Sequence, residues 1–212
     1  MVSEKIRIVP ESAVLVCDWL AQAFLSGPLQ LDTDSQNLWY RLLLKETPAV
    51  RSAWQALTDA LEGERNWNLA VRDFHECVEV PVPGRYVPPY ASCYLDNPAI
   101  LWGPSTHQVM AWYGQIGLEW QRSFSVTAPD HIGVEWAFLA ELSDLSSPEA
   151  LELRRVFIAD HISQWFPVFI DHLRRTVRGS YYPALGDFGI AWIRSEADVH
   201  GRRNEDPDDT RG

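Results

Sequence analysis

Residues 127–145 read TAPDHIGVEWAFLAELSDL, and this stretch predicts the helix around which the fold is organised. Pro129 ends the preceding segment, and the carboxylate of Asp130 is suited to cap the first helical turn. At about 100° per residue, the apolar side chains cover an arc of roughly 200°, so we expect most of the helix surface to be buried. Small residues occupy the other side, where a second helix can approach closely: Gly133, Ala137 and Ala140.

His131 and Glu135 fall inside the apolar arc of this helix, one turn apart. A carboxylate and an imidazole lose their hydration on burial, and this cost is offset when they are paired or serve a function. One interpretation is a His131–Glu135 pair that fixes the helix in the core. The other is a functional site that includes Asp130, and the residues of this stretch leave both interpretations open.

Two further stretches carry unusual concentrations of aromatic residues. Residues 88–96 read PPYASCYLD and lead to LWG at 101–103, and residues 161–167 read HISQWFP. The prolines at 81–89 cannot continue a helix, so Tyr90–Gly103 is predicted to be non-helical. A loop of this length inside a compact domain is more often functional than idle.

The stretch at 127–145 resembles the central motif of the TorD/DmsD/NarJ family, the stretch at 88–103 resembles its second motif, and the stretch at 161–167 resembles its third. The resemblance covers roughly residues 86–185. The family consists of cytoplasmic, all-α chaperones that mature molybdenum-containing redox enzymes. One departure is Ala128, where the family usually has a glutamate, and it removes one charge from the mouth of the site.

The resemblance implies a chaperone without catalytic residues, cofactor or metal. Such a chaperone binds the twin-arginine signal peptide, alone or together with the mature part, of a catalytic subunit of the dimethyl-sulfoxide-reductase class of molybdopterin oxidoreductases. It holds this client in the cytoplasm until the cofactor is inserted and the client has folded. The signal-peptide-binding residues are expected to be Tyr90, Ser92, Tyr94, Trp102, Gly103, Asp130, His131 and Glu135, supported by His161, Trp165 and Pro167 of the third motif.

Each part of a twin-arginine peptide requires a different surface. Tyr90, Tyr94 and Trp102 are expected to line a groove for its apolar stretch. Asp130 and Glu135 are expected to receive the two guanidinium groups, and His131 to orient a carboxylate or the peptide backbone.

Two catalytic alternatives use the same residues. A metal-dependent enzyme could use His131 and Glu135, which share a helix face, although the remaining histidines are scattered and no HExxH motif is present. A hydrolase could use Ser92 or Cys93 as the nucleophile and His131 as the base. No GxSxG motif accompanies these residues.

The composition excludes several classes of partner. A formal net charge of −11 argues against nucleic acids and anionic membrane surfaces, and it suits a basic partner. The three cysteines form no CxxC motif, so neither a disulfide framework nor a zinc site is indicated. No secretory leader and no apolar run of about 18 residues is evident, so we expect a cytoplasmic protein without stable membrane insertion.

Hydrophobic periodicity and cap signals predict a single all-α domain, a bundle of about eight to ten helices. The domain spans residues 1–194, with halves at 1–117 and 130–194 joined by a hinge at 118–129. A helix begins after Ser147 and extends to about residue 178, and Pro167 is expected to kink it near residues 161–165. A last helix covers 183–194, and an acidic, disordered tail covers 195–212. The resemblance implies a monomer or a domain-swapped dimer.

Overall fold

The computed structural model describes residues 11–121, 126–145 and 147–204, and within these ranges the regular structure is helical, with no strand. The all-α fold is therefore confirmed. The helices are α1 (Glu11–Leu25), α2 (Thr33–Leu43), α3 (Pro48–Asp59), α4 (Glu64–Asp73), α5 (Ser92–Leu95), α6 (Pro104–Gln115), α7 (Ile132–Asp144), α8 (Pro148–Phe157), α9 (Ser163–Thr176) and α10 (Tyr181–Asn204).

Side-chain caps fix several helix starts. Asp32 accepts a hydrogen bond of 2.7 Å from the Ser35 amide and caps α2. Thr47 and Ser147 cap α3 and α8 in the same way, each followed by a proline at the first helical position. Proline is tolerated there because the first turn has no internal partner for its amide. The start of α8 was predicted from this combination and is confirmed.

Helix α7 is the central helix, and α1 packs closely along it. A Cβ atom on Gly133 would lie 2.5 Å from Leu25 Cγ and 3.0 Å from the Ala21 carbonyl oxygen. Only a residue without a side chain permits this approach, which confirms at Gly133 the expectation that a second helix approaches α7 closely.

Aromatic rings fill much of the core. Trp39 and Trp54 stack with ring centroids 4.6 Å apart, and Trp19 and Phe188 contact Trp54. This cluster joins α1, α2 and α3 to α10. Offset and edge-on ring contacts add to the free energy gained from burying the rings.

The helix predicted from Ser147 to about residue 178 is interrupted by a π-helical turn at Ile158–Ile162, between α8 and α9. The distortion therefore overlaps the predicted position but begins before it, and Pro167 lies inside α9. A second π-helical turn, Phe74–Glu79, follows α4. Such turns widen the backbone and rotate the following side chains.

The last helix is longer than predicted. It continues past residue 194 to Asn204, and Glu196, which we assigned to the tail, is buried and forms an ion pair with Arg154. The prediction of a disordered tail is wrong for 195–204, because a buried arginine requires a buried acid. The rest of that tail lies outside the described residues.

One smaller prediction also changes, that of a non-helical segment at residues 90–103. The segment predicted to be non-helical contains the short helix α5, and α6 begins at Pro104 with Gly103 as its N-cap. Of the predicted hinge, 122–125 lie outside the described residues. In the ranges that the structure describes, no helix is both long and apolar enough to cross a bilayer.

Candidate functional site

The second motif lies against the start of α7. Tyr90 and His131 form an isolated antiparallel bridge. The Ala91 amide donates to the Asp130 carbonyl at 2.9 Å, and the Ile132 amide donates to the Pro89 carbonyl at 2.8 Å. These backbone hydrogen bonds hold the second motif against the central motif in one fixed arrangement.

Asp130 caps a different helix from the one predicted. Its Oδ2 accepts a hydrogen bond of 2.8 Å from the amide of Ser92, the first residue of α5. The N-cap of α7 is His131, whose Nδ1 accepts from the Gly133 amide at 3.1 Å. The prediction that Asp130 caps α7 is therefore wrong, because the bridge to Tyr90 turns its carboxylate towards α5.

His131 is held as a neutral imidazole. Burial lowers its pKa from 6.5 to about 3, since the charged ring would lose its hydration. Because Nδ1 is a hydrogen-bond acceptor, the ring proton lies on Nε2. The Tyr90 ring packs edge-on against the imidazole at 5.2 Å, and Thr127 Oγ1 hydrogen-bonds to the Tyr90 hydroxyl at 2.9 Å.

Glu135 is bonded to the third motif and not to His131. Its Oε1 lies 2.7 Å from His161 Nε2, and its Oε2 accepts a hydrogen bond of 3.0 Å from the Trp165 indole. Burial raises the pKa of Glu135, and the neighbouring His161 opposes this rise. The interpretation of a His131–Glu135 pair is wrong, because the π-helical turn brings His161 to the same carboxylate.

Tyr94 connects the second and third motifs. Its ring stacks on Trp165 with centroids 5.5 Å apart, and its hydroxyl donates to the Pro88 carbonyl at 2.8 Å. Pro167 lies two residues after Trp165 in α9 and is half-buried. All three motifs thus contribute to one continuous, largely buried network.

This network supports a loop at residues 96–103 that presents apolar side chains to the surface. Asp96 accepts hydrogen bonds from the Ser105 amide and hydroxyl and so caps α6. A Cβ atom on Gly103 would overlap the Asp96 carboxylate, so the loop closes only with glycine there. Ile100, Leu101 and Trp102 are 50%, 43% and 42% exposed.

The backbone of Trp102 is strained. Its φ is +64°, which a bulky side chain adopts at a cost of about 1–3 kcal/mol. The ring lies edge-on to Trp120 with centroids 5.4 Å apart. Strain that presents an aromatic ring to solvent is a feature of binding sites more than of stable cores.

Hydrogen bonds and ring contacts join predicted site residues of the three motifs, whereas Trp102 contacts Trp120, and the site residues differ in exposure. Asp130 and Glu135 are fully buried, and Tyr90 and His131 are nearly so. Trp102 is exposed and Tyr94 is half-buried. The sequence did not identify Asp96 as a cap or Tyr113, whose hydroxyl donates to the Pro129 carbonyl at 2.9 Å. The sequence carries no local signal for the role of Asp96, because it lies eight residues before Pro104 and cap signals act on the residue next to the first turn.

The geometry gives no support to either catalytic alternative. Across the described ranges, no group of three or more His, Cys, Asp or Glu side chains is arranged to hold a metal ion. Ser92 Oγ makes no hydrogen bond to any residue that the structure describes, so it has no base to activate it. Burial raises the pKa of Cys93 to about 11, which keeps its thiol protonated near neutral pH.

Comparisons with known proteins agree with the motifs. The model of the nitrate reductase delta subunit family matches residues 45–171, which include all three motifs. A curated relative, the chaperone protein TorD of Shewanella piezotolerans (strain WP3 / JCM 13877), is 31% identical over 116 residues, which cover 51% of this chain and 52% of the relative. The chain thus spans about half the length of the curated relative that it matches. With the helical fold and the linked motifs, these matches establish that the chain belongs to the TorD/DmsD/NarJ family of redox-enzyme maturation chaperones.

Proposed function

We propose that this protein is a cytoplasmic chaperone that binds the twin-arginine signal peptide of a molybdenum oxidoreductase catalytic subunit. It withholds the peptide from export until the cofactor is inserted and the client has folded, and it performs no catalysis. The observation that carries this proposal is the loop at 96–103, where a buried network of three motifs holds the strained, exposed Trp102 at the surface.

In this proposal the buried motif residues position the binding loop. Asp130 fixes the start of α5, and Glu135 joins α7 to His161 and Trp165. Both carboxylates are 0% exposed, so contact with a guanidinium group would require the site to open. We therefore assign Asp130, His131 and Glu135 to support of the loop, and Trp102 to contact with the peptide.

Charge favours the encounter. The protein has a formal net charge of −11, and a signal peptide with two arginines is basic. Opposite charges accelerate association, and salt screens this effect. Release to the export machinery requires moderate affinity, which corresponds to a Kd of about 1 μM or about −8 kcal/mol.

Titration calorimetry tests the proposal. The probe is a synthetic twin-arginine signal peptide from a molybdoenzyme encoded beside this chain, with a Lys-Lys version as its control. We expect the twin-arginine peptide to bind more tightly than the Lys-Lys peptide, and its affinity to fall as salt is added. The Trp102→Ala substitution is expected to raise the Kd by about tenfold or more. Tyr40→Ala, which removes an aromatic side chain that is 63% exposed on α2, is expected to bind as the wild type does.

Absence of binding to the wild-type protein at low salt would contradict the proposal. Equal weakening by Trp102→Ala and Tyr40→Ala would contradict the assignment of the loop. Binding of the client's mature part without its signal peptide would show that the protein recognises the mature part of the client.

A further inference from the structure

Helix α7 has one stripe that other helices cover only in part. Phe138 is buried against Tyr113 of α6 and Phe157 of α8, whereas Val134 and Ala137 are half-buried and Glu141 is exposed. Val134, Ala137, Phe138 and Glu141 recur at the spacing of one helical face. Together with Leu118 and Trp120 from the segment after α6, this stripe lines a cavity of about 240 Å³. A cavity of about 150 Å³ already accommodates benzene, so this one has room for a large apolar side chain.

The cavity continues the exposed apolar surface of the binding loop. Trp120 lies in the cavity wall and also contacts Trp102 edge-on, with ring centroids 5.4 Å apart. Leu118, on the same wall, is 39% exposed. An apolar surface therefore extends from Trp102 through Trp120 to the α7 stripe.

Acidic side chains stand at the rim of this cavity. Glu119 and Glu141 both line it and both are exposed. Within the described part of the chain, neither carboxylate forms an ion pair or a hydrogen bond. Two unpaired carboxylates beside an apolar cavity complement a ligand that places a basic residue next to an apolar one.

The cavity floor touches the central motif. Tyr113 contributes to the floor, and its hydroxyl donates to the Pro129 carbonyl at 2.9 Å. Its ring packs against Phe138 with centroids 4.6 Å apart. A side chain bound in the cavity would thus contact residues that hold the motif network in place.

We propose that this cavity holds an apolar side chain from the stretch that follows the two arginines of the signal peptide, with an arginine between Glu119 and Glu141. This inference rests on the proposed function and assigns the peptide's contacts within it. It moves the arginine contacts from the buried Asp130 and Glu135 to the exposed rim. The apolar stretch would bind the α7 stripe as a short helix, a common way for an amphipathic segment to occupy a groove.

A cavity-filling variant tests the apolar contact. Ala137→Leu replaces a methyl group by an isobutyl group at the cavity wall and leaves Trp102 unchanged. We expect the Kd for the twin-arginine peptide to rise about tenfold in titration calorimetry. Ala111→Leu makes the same addition at an exposed position on α6 and is expected to bind as the wild type does. Urea unfolding of both variants establishes that they fold.

A charge exchange tests the rim without changing the core. Glu141→Lys is expected to weaken binding about tenfold, and a peptide with one arginine replaced by glutamate is expected to show a smaller loss with this variant, which is a partial recovery. Glu62→Lys alters an exposed carboxylate that does not line the cavity, and should show no such recovery.

The binding results for these variants distinguish the cavity assignment from the proposed chaperone function. Wild-type binding that Trp102→Ala weakens, but that Ala137→Leu and Glu141→Lys leave unchanged, would overturn the cavity assignment and keep the chaperone proposal. No binding to the wild-type protein would overturn both.

Discussion

At the scale of single residues, burial sets the protonation of the site. His131 is neutral because its ring has lost its hydration, and its acceptor nitrogen caps α7. Burial raises the pKa of Glu135, which His161 and Trp165 hold by hydrogen bonds. These groups act on one another and not on solvent, which is typical of residues that position a binding surface.

Replacement of His131 by asparagine should remove one source of the pH dependence of the unfolding free energy and should keep a side-chain cap on α7. Because the pKa of His131 falls from 6.5 to about 3 on folding, its stabilising contribution is complete above 6.5 and is lost as the pH falls towards 3. The free energy of unfolding of the wild type should therefore decrease, relative to His131→Asn, by about 1 kcal/mol between about pH 7 and about pH 5.5.

Urea unfolding at the two pH values measures this difference. His107→Asn, at an exposed position on α6, serves as the matched control and should follow the wild type. A constant difference between wild type and His131→Asn would mean that the ring becomes charged in the folded protein.

Sequence reasoning at this scale identified the residues but not their partners. The apolar arc of α7 correctly placed His131 and Glu135 in the interior, because helical periodicity determines which face a residue occupies. It could not pair Glu135 with His161, which lies far along the chain on a different element. Such a pairing depends on how helices pack, and one sequence contains no direct signal for it.

At the scale of helices, local signals predicted the starts well and the irregular turns poorly. Ser147 and Pro148 act on their own first turn, so their effect is readable from the sequence. The π-helical turns at Phe74–Glu79 and Ile158–Ile162 have no such signature. Their extra residue is tolerated because of the tertiary contacts it permits, such as the one between His161 and Glu135.

The contact between α1 and α7 should be sensitive to one methyl group. Gly133→Ala would place its Cβ 2.5 Å from Leu25 Cγ and 3.0 Å from the Ala21 carbonyl oxygen. Because the backbone of α1 cannot move freely, we expect a loss of about 1–3 kcal/mol in unfolding free energy. Gly114→Ala in α6, where a Cβ has no neighbour within 4 Å, should instead stabilise by up to about 1 kcal/mol.

Thermal or urea unfolding of the two variants distinguishes packing from helix propensity. Stabilisation by both substitutions would show that α1 can move away from α7 and that the close approach of these two helices is not required.

At the scale of the molecule, the two predicted halves are interlocked. Helix α1 packs along α7, and α10 packs against α3 as well as α9. These contacts unite the chain into one domain, and a hinge at 118–129 stays a prediction. Periodicity revealed the number and class of elements, but not these long-range contacts, because they depend on complementary shape between distant helices.

The end of α10 should be important for the stability of the whole domain. Arg154 is 1% exposed, donates to Ser143 Oγ at 2.9 Å and forms its ion pair with Glu196. Glu196→Ala leaves the guanidinium buried without its counter-charge, so we expect a loss of about 3–5 kcal/mol in unfolding free energy, measured by urea denaturation. Glu152→Ala removes the exposed partner of Arg155 and should cost less than about 1 kcal/mol. A loss below about 1 kcal/mol for Glu196→Ala would show that the carboxyl end of α10 is dispensable for stability, as a disordered tail would be.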